Sequence, residues 1–319
     1  MISRSTLFLL TLSLLAGCTG DRSAEVAELP EGYHQQLQEW KEYRIDVLKG
    51  PTNWLRLVDI AWLPNGEATI GSAPDVDVQF PERALPPAAG VIESAGDNVE
   101  LTAAQSSGMQ MDGQDISGQT VTIHDDDGNA PEITSGDFIW FADRRGDEIG
   151  LRMYDQSLER ADQFDGFPFY EVNPEWYKAA QFIPYDAPKP IAIANVLGDM
   201  VERESPGYIE FSVDGESVTL DVFEANSGLF IMFTDHTNRT DTYQAGRYLI
   251  IDFPNEEGRT VADFNRTYNP PCAFNTFTVC QLPPPQNRLP FAIEAGEQRP
   301  PNMWKGLDGK KFVASDSPD

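Results

Sequence analysis

Near the start of the chain, apolar and polar positions alternate with the period of an α-helix. The stripe consists of Tyr33, Leu37, Trp40, Arg44 and Val47–Leu48, with charged residues between them, and the run ends at Gly50-Pro51. Apolar residues at this spacing indicate an amphipathic helix, and glycine followed by proline is a typical stop signal. The sequence therefore predicts one helix at the start of the fold, and we expect it to pack on the sheet that follows.

From Trp54 onward, the pattern changes to short apolar runs separated by Gly, Asp, Asn and Pro. Runs of this length between turn-forming residues are typical of a β-sandwich or barrel. The predicted strands are Trp54–Leu57, Ala68–Ile70, Val76–Phe80, Val99–Thr102, Thr120–Ile123 and Phe138–Phe141. The charged group of Arg152, Asp155 and Arg160 has the pattern of solvated ion pairs. We assign residues 31–160 to the helix and this sandwich.

A second, smaller antiparallel β-domain is predicted over residues 161–299. It begins with an aromatic and proline-rich stretch, residues 161–180, which we expect to fill an apolar surface between two layers. Asp214-Gly215 is a hairpin signal, because both residues tolerate positive φ. The predicted strands are Tyr208–Val213, Ser217–Phe223, Leu229–Phe233 and Tyr248–Asp252. The proline-rich segment 269–290 is expected to be an ordered loop, since proline cannot donate to a ladder.

The first 17 residues have the features of a signal peptide. Arg4 supplies a positive charge, and the apolar run Thr6–Leu15 is too short to span a bilayer core of ~30 Å. Leu15-Ala16-Gly17-Cys18 resembles a lipobox, in which the cysteine becomes the lipid acceptor. The alternative is an ordinary secretory signal with a chance cysteine. Residues 18–30 are then the lipidated cysteine and a flexible tether, and residues 300–319 are predicted to be a disordered tail.

By resemblance to Gram-negative lipoproteins, Thr19 after Cys18 favours the outer membrane, because aspartate at that position is the usual retention signal. We therefore expect the chain to lie in the cell envelope, on the periplasmic face of the outer membrane, with lipid on Cys18 as its contact with the membrane.

The chain is strongly acidic, with a formal net charge of −28. Nucleic acids and anionic lipid headgroups are bound through Lys and Arg, which are scarce in this sequence. A nucleic-acid partner is therefore excluded. Acidity of this size is typical of a solubility trait or of adaptation to a salty habitat, and it indicates little about the ligand.

Two cysteines remain if Cys18 carries lipid. Cys272 and Cys280 would meet in an oxidising compartment, where a pair is expected to join. Closing so short a loop would contribute roughly 2–3 kcal/mol. The alternative is two buried thiols. A zinc site would need further Cys or His ligands, and the three histidines lie far away in the sequence, so we predict no metal and no cofactor.

The motifs of the first β-region resemble the forkhead-associated β-sandwich, a phosphothreonine-binding fold. In order, they are Ala68–Ser72, Asp77–Phe80, Met111–Ile116 and Ile133–Ile139. Ser72 stands where that family has its binding arginine, and residues 86–91 replace its Ser-Arg-x-x-His segment. Without cationic and hydroxyl donors, little holds a phosphate dianion. The resemblance implies a degenerate scaffold without phosphopeptide binding.

The richest polar cluster of the chain lies in the second β-region, and its motifs resemble the bacterial family catalogued as domain of unknown function 1684. These motifs are Phe233-x-Asp-x-Thr-Asn238, Thr242-Tyr-x-x-Gly-Arg-Tyr-Leu249, Asp263-Phe-Asn-Arg-x-Tyr-Asn-Pro-Pro-Cys-Ala-Phe274 and Leu282-Pro-Pro-Pro-x-Asn-Arg-Leu-Pro290. The likeness covers roughly Trp40 to Glu297. Arg239 stands where that family usually has glycine. The family has no established activity, so the resemblance implies an architecture and the place of a site, not a reaction.

These motifs bring together side chains that suit a small polar ligand. The predicted ligand-binding residues are Arg247, Asp263, Asn265, Arg266, Tyr268, Asn269 and Arg288. Bidentate Arg and Asn donors orient sugar hydroxyls or a carboxylate, while aromatic rings stack. The competing interpretation is structural, because proline-dense loops leave carbonyls that Arg and Asn side chains commonly satisfy.

A catalytic interpretation has to use carboxylates, and the candidates are Asp263, Asp235 and Glu294. Asp263 paired with Asp235 or with Glu294 would serve as acid and base in glycoside hydrolysis if the two groups lay at the right separation. We therefore expect a mainly β envelope lipoprotein that binds a glycan fragment or an organic acid. The alternatives are a carboxylate-dependent hydrolase acting on envelope polysaccharide and a purely structural or interaction lipoprotein.

Overall fold

A computed structural model describes residues 28–146 and 148–300 of the chain. The predicted signal peptide, Cys18 and most of the tether lie outside the described residues, as does the predicted tail beyond Pro300. The described part is mainly β, with one N-terminal helix and antiparallel sheets in two domains, as the sequence predicts. Within it, no helix is both long enough and apolar enough to cross a membrane.

The N-terminal helix, α1 (Tyr33–Lys49), begins and ends where the apolar stripe predicts. Tyr33, Leu37 and Leu48 are its buried side chains. The expectation that it packs on the sheet that follows is wrong. Its polar contacts reach across the molecule to the C-terminal region, where Tyr33 and Arg44 bind carboxylates, because these two side chains stand on the stripe among its apolar residues.

Two sheets form the first β-domain, and they face each other across one apolar core. The strands are β1 (Leu57–Trp62), β2 (Gly66–Gly71), β3 (Val78–Gln79), β4 (Gly90–Ala95), β5 (Asn98–Ala103), β6 (Gln110–Met111), β7 (Gln114–Asp115), β8 (Thr120–His124), β9 (Ile133–Ser135), β10 (Phe138–Arg145) and β11 (Glu148–Asp155). One sheet has the order β1-β11-β10-β9-β6-β7 and the other β3-β2-β4-β5-β8. Only the short β2–β3 pair is parallel among the described pairs. Trp140 and Phe80 meet edge to face at the centre of the core.

Two sequence interpretations fail in this domain. Trp54–Leu57 is a turn up to the first residue of β1, because the Asn53 carbonyl accepts the amides of Arg56 and Leu57. Arg152 and Asp155 are buried in β11 and are not solvated. Arg152 pairs with Asp143 and Asp155 pairs with Arg83, so charge pairing across the fold compensates their burial.

The second β-domain is one strongly curved antiparallel sheet. Its strands are β12 (Tyr177–Ala194), β13 (Met200–Val213), β14 (Glu216–Ala225), β15 (Gly228–Phe233), β16 (Arg247–Ile251) and β17 (Arg259–Asp263), in the order β16-β15-β14-β13-β12-β17. The edge strands β16 and β17 also contact each other. The enclosed core contains Phe211, Phe233, Leu249 and Phe264. Asp214 and Gly215 form the predicted hairpin turn with φ of 52° and 82°.

Strand β12 is the least expected element, because it contains three prolines. Its pairing with β13 is interrupted between Pro184 and Lys189, and Pro188 lies in this interruption, where no ladder hydrogen bond is required of it. Irregularities of this kind bend a strand and redirect its side chains. Here the interruption turns Tyr185 and Lys189 toward one face of the sheet, where they line a cleft.

The remaining C-terminal chain is an ordered loop, as predicted for residues 269–290. It contains the short 3-10 helices Pro271–Ala273 and Pro285–Asn287 and runs back over both domains. Asn275 donates to the carbonyls of Trp54 and Leu57 at 2.9 and 2.6 Å, which fastens the loop to the first domain. The aromatic stretch packs here as well, with Phe167 against Phe274, so it fills the apolar surface between the layers.

Candidate functional site

Arg247 and Asp235 form a fully buried ion pair, with neither side chain exposed to solvent. The Arg247 guanidinium also donates to the carbonyls of Ile293 and Ala295, at 2.8 and 2.6 Å. Asp235 accepts two more hydrogen bonds, from the amide and hydroxyl of Thr237 at 2.7 and 2.5 Å. Both groups are therefore engaged within the protein, and the pair fastens the C-terminal segment onto the sheet.

Asp263 lies beneath the first residue of helix α1. The Tyr33 hydroxyl lies 2.8 and 2.9 Å from its two carboxylate oxygens, and the Asn265 amide adds a hydrogen bond of 3.2 Å. Burial raises the pKa of the Asp263 carboxyl, while the bonds from Tyr33 and the charge of Arg266 oppose that shift. Burial also raises the pKa of the Tyr33 phenol well above its ordinary value. The Arg266 guanidinium, 3.3 Å from Asp263, is about one-third exposed.

The side chains of Asn265 and Asn269 are likewise hydrogen-bonded to other parts of the protein. The Asn265 side chain both accepts from and donates to the backbone of Asn173, at 3.0 and 3.1 Å. Asn269 donates its backbone and side-chain N–H groups to Glu297, at 2.7 and 3.1 Å. Each therefore joins two loops to each other by satisfying buried polar groups.

Glu297 is the residue of this cluster that the sequence interpretation missed. Its side chain is fully buried, and it accepts from the Arg44 Nε at 2.8 Å. The Arg44 guanidinium lies 4.7 Å from the centre of the Tyr268 ring. The sequence offered one local signal for this residue, namely that Glu297 is a carboxylate in the same apolar-flanked segment as Ala295. Its partner in α1 lies 253 positions away in sequence, so spacing alone did not reveal the pair.

Arg288 and Glu294 are not brought into this network. Both side chains are exposed. Arg288 takes part through its backbone, beside Thr234. The expected convergence of all the candidates on one cavity does not occur, because alternate residues of the loop face inward and outward.

Cys272 and Cys280 are joined in a disulfide with their Cα atoms 6.1 Å apart. The bond lies in the apolar cluster that also contains Leu48, Leu55 and Phe274. Arg239, where the resemblance leads one to expect glycine, adopts a φ of 84°. The turn thus keeps the backbone conformation that favours glycine.

A solvent-accessible polar cleft lies on another side of the same proline-rich loop. It has a volume of about 480 Å³ and is lined by Tyr185, Lys189, Tyr208, Thr219, Asp221, Gln286 and Asn287. We call it the Tyr185–Asp221 cleft. Strands β12, β13 and β14 form its floor, and the 3-10 helix Pro285–Asn287 forms one wall.

Asp221 is the central polar group of this cleft. It is 6% exposed, and it accepts from the Tyr185 hydroxyl at 2.5 Å and from the Gln286 side-chain amide at 2.6 Å. Asn287 fixes the Asp221 backbone with two hydrogen bonds, of 2.8 and 2.9 Å, and also donates to the Met232 carbonyl. The motif asparagine therefore acts as a clamp that sets the position of the carboxylate.

Aromatic rings and one ammonium group complete the cleft. The rings of Tyr185 and Tyr208 lie 5.6 Å apart at an angle of 48°, and the Lys189 ammonium is 5.2 Å from the Tyr185 ring centre. Burial, followed by the hydrogen bond to Asp221, raises the pKa of the Tyr185 phenol well above its ordinary value. The raised pKa favours the neutral phenol, which donates its proton to the Asp221 carboxylate.

Comparison with known families identifies the part of the chain that contains both groups of residues. Residues 162–298 match the family model described as a protein of unknown function, DUF1684. This segment belongs to the DUF1684 family. A solution NMR structure of an uncharacterized protein from Haloarcula marismortui is 32% identical over 45% of this chain and 83% of that chain, with a TM-score of 0.37. No curated protein matches the sequence.

The Tyr185–Asp221 cleft lies entirely within the DUF1684 segment, and so do the buried candidates from Asp235 to Glu297. Helix α1 lies outside it and covers the buried group. Two further cavities lie elsewhere among the described residues. One, of about 470 Å³, is an acidic cleft beside His124 in the first domain, and the other, of about 270 Å³, is mainly apolar and lies beside Trp62 and Phe277. Among residues 28–146 and 148–300, no group of three or more His, Cys, Asp or Glu side chains is arranged to hold a metal ion.

Proposed function

We propose that this protein is a lipid-anchored envelope protein that binds a small polar ligand, a glycan fragment or an organic acid, in the Tyr185–Asp221 cleft. The observation that carries the proposal is the Asp221 carboxylate. It is buried and held by Tyr185 and Gln286, yet it stands at the base of an open cleft with aromatic rings beside it. A few fixed polar groups among rings are what small-molecule sites commonly contain.

The cleft replaces the cluster around Asp263 as the binding region. The Asp263 carboxylate is hydrogen-bonded to Tyr33 beneath helix α1. The side chains of Asn265 and Asn269 are hydrogen-bonded to Asn173 and Glu297, between loops. The same contacts speak against the carboxylate-dependent hydrolase, because both Asp263 oxygens are bonded to Tyr33 and Asp235 is paired with Arg247.

The envelope location remains part of the proposal. The lipobox-like sequence ending at Cys18 is its basis, and outer-membrane placement follows from Thr19 by resemblance. The Cys272–Cys280 disulfide supports export, since structural disulfides persist in oxidising compartments. Metabolic labelling with a radioactive fatty acid tests this point: the wild-type chain should take up label and Cys18→Ala should not. Equal labelling of both would rule out Cys18 as the lipid acceptor.

The first β-domain serves as a scaffold in this proposal, in line with its forkhead-associated resemblance. Ser72, which stands at the position of that family's binding arginine, is only 8% exposed. It offers no cation to a phosphate group, and we assign no ligand to that end of the domain.

Binding is tested with the mature chain from residue 18, carrying Cys18→Ser so that it stays in solution. Monosaccharides, cell-wall glycan fragments and small carboxylic acids are added in a thermal-shift screen, and each hit is followed by titration calorimetry. We expect hits whose binding is abolished by Tyr208→Ala, with Tyr43→Ala on the exposed face of α1 as the matched control. A panel with no hits, or hits unaffected by Tyr208→Ala, would refute the assignment.

A further inference from the structure

We infer that the ligand of the Tyr185–Asp221 cleft is an uncharged sugar bound through two neighbouring hydroxyl groups, rather than an organic acid. This inference rests on the proposed function and chooses between its two ligand classes. The choice follows from the kinds of hydrogen-bonding group that the cleft leaves unused.

The first step concerns Asp221, which retains acceptor capacity. A carboxylate has about four acceptor positions. Tyr185 and Gln286 use one position on each oxygen, which leaves further acceptor positions on a carboxylate that lines the cleft. Sugar hydroxyls are donors. A ligand carboxylate has no proton to donate at neutral pH and would be repelled at short range by the negative charge of Asp221.

The second step concerns Lys189, which supplies the complementary donor. Its ammonium group has three N–H donors and no acceptor, and it is held near the Tyr185 ring at 5.2 Å. A hydroxyl accepts from an ammonium and donates to a carboxylate at the same time. Two hydroxyls on adjacent carbons are therefore able to use Lys189 and Asp221 together, with Thr219 as a further hydroxyl partner on the floor of the cleft.

The third step concerns the aromatic pair. Tyr185 and Tyr208 are half-buried, and their rings are tilted so that neither covers the other. Ring faces of this kind pack against the C–H face of a pyranose while its hydroxyls point to the polar groups. A flexible di- or tricarboxylic acid has no comparable flat apolar face.

Long-range electrostatics favours the same class. The lining contains one ammonium and one carboxylate, so the cleft has no net charge of its own. The whole chain has a formal net charge of −28. An anionic ligand approaches against that field, whereas an uncharged sugar does not.

The test is titration calorimetry on the mature chain with Cys18→Ser. The probes are methyl glycosides of glucose, galactose and N-acetylglucosamine on one side, and succinate and citrate on the other. We expect at least one glycoside to bind with an affinity that changes little between low and high salt, and the acids not to bind. The 2-deoxy form of the bound glycoside should bind more weakly if that hydroxyl is one of the pair.

Asp221→Asn preserves the shape of the side chain, and it should weaken glycoside binding about ten-fold or more, because hydrogen bonds to a charged group are the stronger ones. Glu216→Gln, at the start of the same strand and exposed, is the matched control and should bind as the wild type does. Lys189→Met is a second variant on the exposed surface, where folding is not in question, and should weaken glycoside binding as well.

The outcomes separate the inference from the proposed function. If acids bind and Asp221→Asn tightens them, the cleft is the site but the ligand class is wrong. If glycosides bind and both Asp221→Asn and Lys189→Met leave them unaffected, the cleft assignment fails too. If neither class binds the wild-type chain, the proposed function itself is refuted.

Discussion

The hydroxyl of Tyr33 lies 2.8 and 2.9 Å from the two carboxylate oxygens of Asp263, 230 positions later in the chain. This contact joins the first turn of helix α1 to the DUF1684 segment. It explains why part of a polar group with the composition of a ligand site is occupied from within the protein: Asp263 receives the hydroxyl of the protein's own helix.

Tyr33→Phe should destabilise the fold by about 1–3 kcal/mol, because it leaves the buried Asp263 carboxylate without its main donor. Urea unfolding followed by circular dichroism measures the loss. Tyr43→Phe is the matched control, since Tyr43 lies on the same helix and is 64% exposed, and it should change stability very little. Equal effects of the two variants would show that the Tyr33–Asp263 bond contributes nothing.

Arg44→Met should cost more, about 3 kcal/mol or above, because it leaves Glu297 as an unpaired charge in a fully buried position. Arg259→Met removes an exposed ion pair with Glu257 and should cost less than about 1 kcal/mol. The double variant Arg44→Met/Glu297→Gln should recover part of the loss. An Arg44→Met protein as stable as Arg259→Met would contradict this account of the pair.

Arg239→Gly should stabilise the protein by about 0.5–1 kcal/mol, since only glycine adopts a φ of 84° without steric cost. Arg288→Gly provides the opposite case. Arg288 is also exposed but has a φ of −94°, so glycine there should destabilise through the entropy of the unfolded chain. Thermal unfolding of both variants is sufficient, and the same sign for both would argue against the conformational explanation.

Stability should fall between about pH 10 and pH 12, in part because of Tyr268. Burial raises the pKa of its phenol to about 12 in the folded chain. In the unfolded chain the phenol has its ordinary pKa of about 10 and loses its proton at lower pH, so alkaline conditions stabilise the unfolded chain relative to the folded one. The contribution is fully present below pH 10 and is lost as the pH rises toward the folded pKa, at up to about 1.4 kcal/mol per pH unit. Tyr268→Phe should make the dependence shallower in urea titrations, and an unchanged slope would show that the phenol does not contribute.

Reduction of the Cys272–Cys280 bond should lower the free energy of unfolding by roughly 2–3 kcal/mol, through the larger conformational entropy of the unfolded chain. Unfolding of the wild-type chain with and without a reductant gives this difference. The Cys272→Ala/Cys280→Ala protein is the control, since its stability should not respond to the reductant. A wild-type chain that is equally stable with and without reductant would mean that the bond does not constrain the fold.

Short sequence patterns were sufficient to predict helix α1 and one hairpin turn. The apolar stripe predicted α1 almost to the residue, and Asp214-Gly215 predicted the turn between β13 and β14, because a helix stop and a positive-φ turn each depend on a few adjacent residues. The cysteine count likewise predicted the Cys272–Cys280 bond. Strand β12 was missed, since three prolines obscure its alternation and its pairing interruption depends on the partner strand.

Only the tertiary structure decided which polar side chains keep hydrogen-bonding positions for a ligand. Asp263 and Asp221 are both carboxylates on strands of the same sheet, and composition does not distinguish them. The fold places Tyr33 of a distant helix over Asp263, whereas it places an open cleft above Asp221. The sequence determined that a buried acid in this segment would need donors, because desolvating a charge without partners is costly. Chain topology determined whether those donors came from the protein alone or left positions for a ligand.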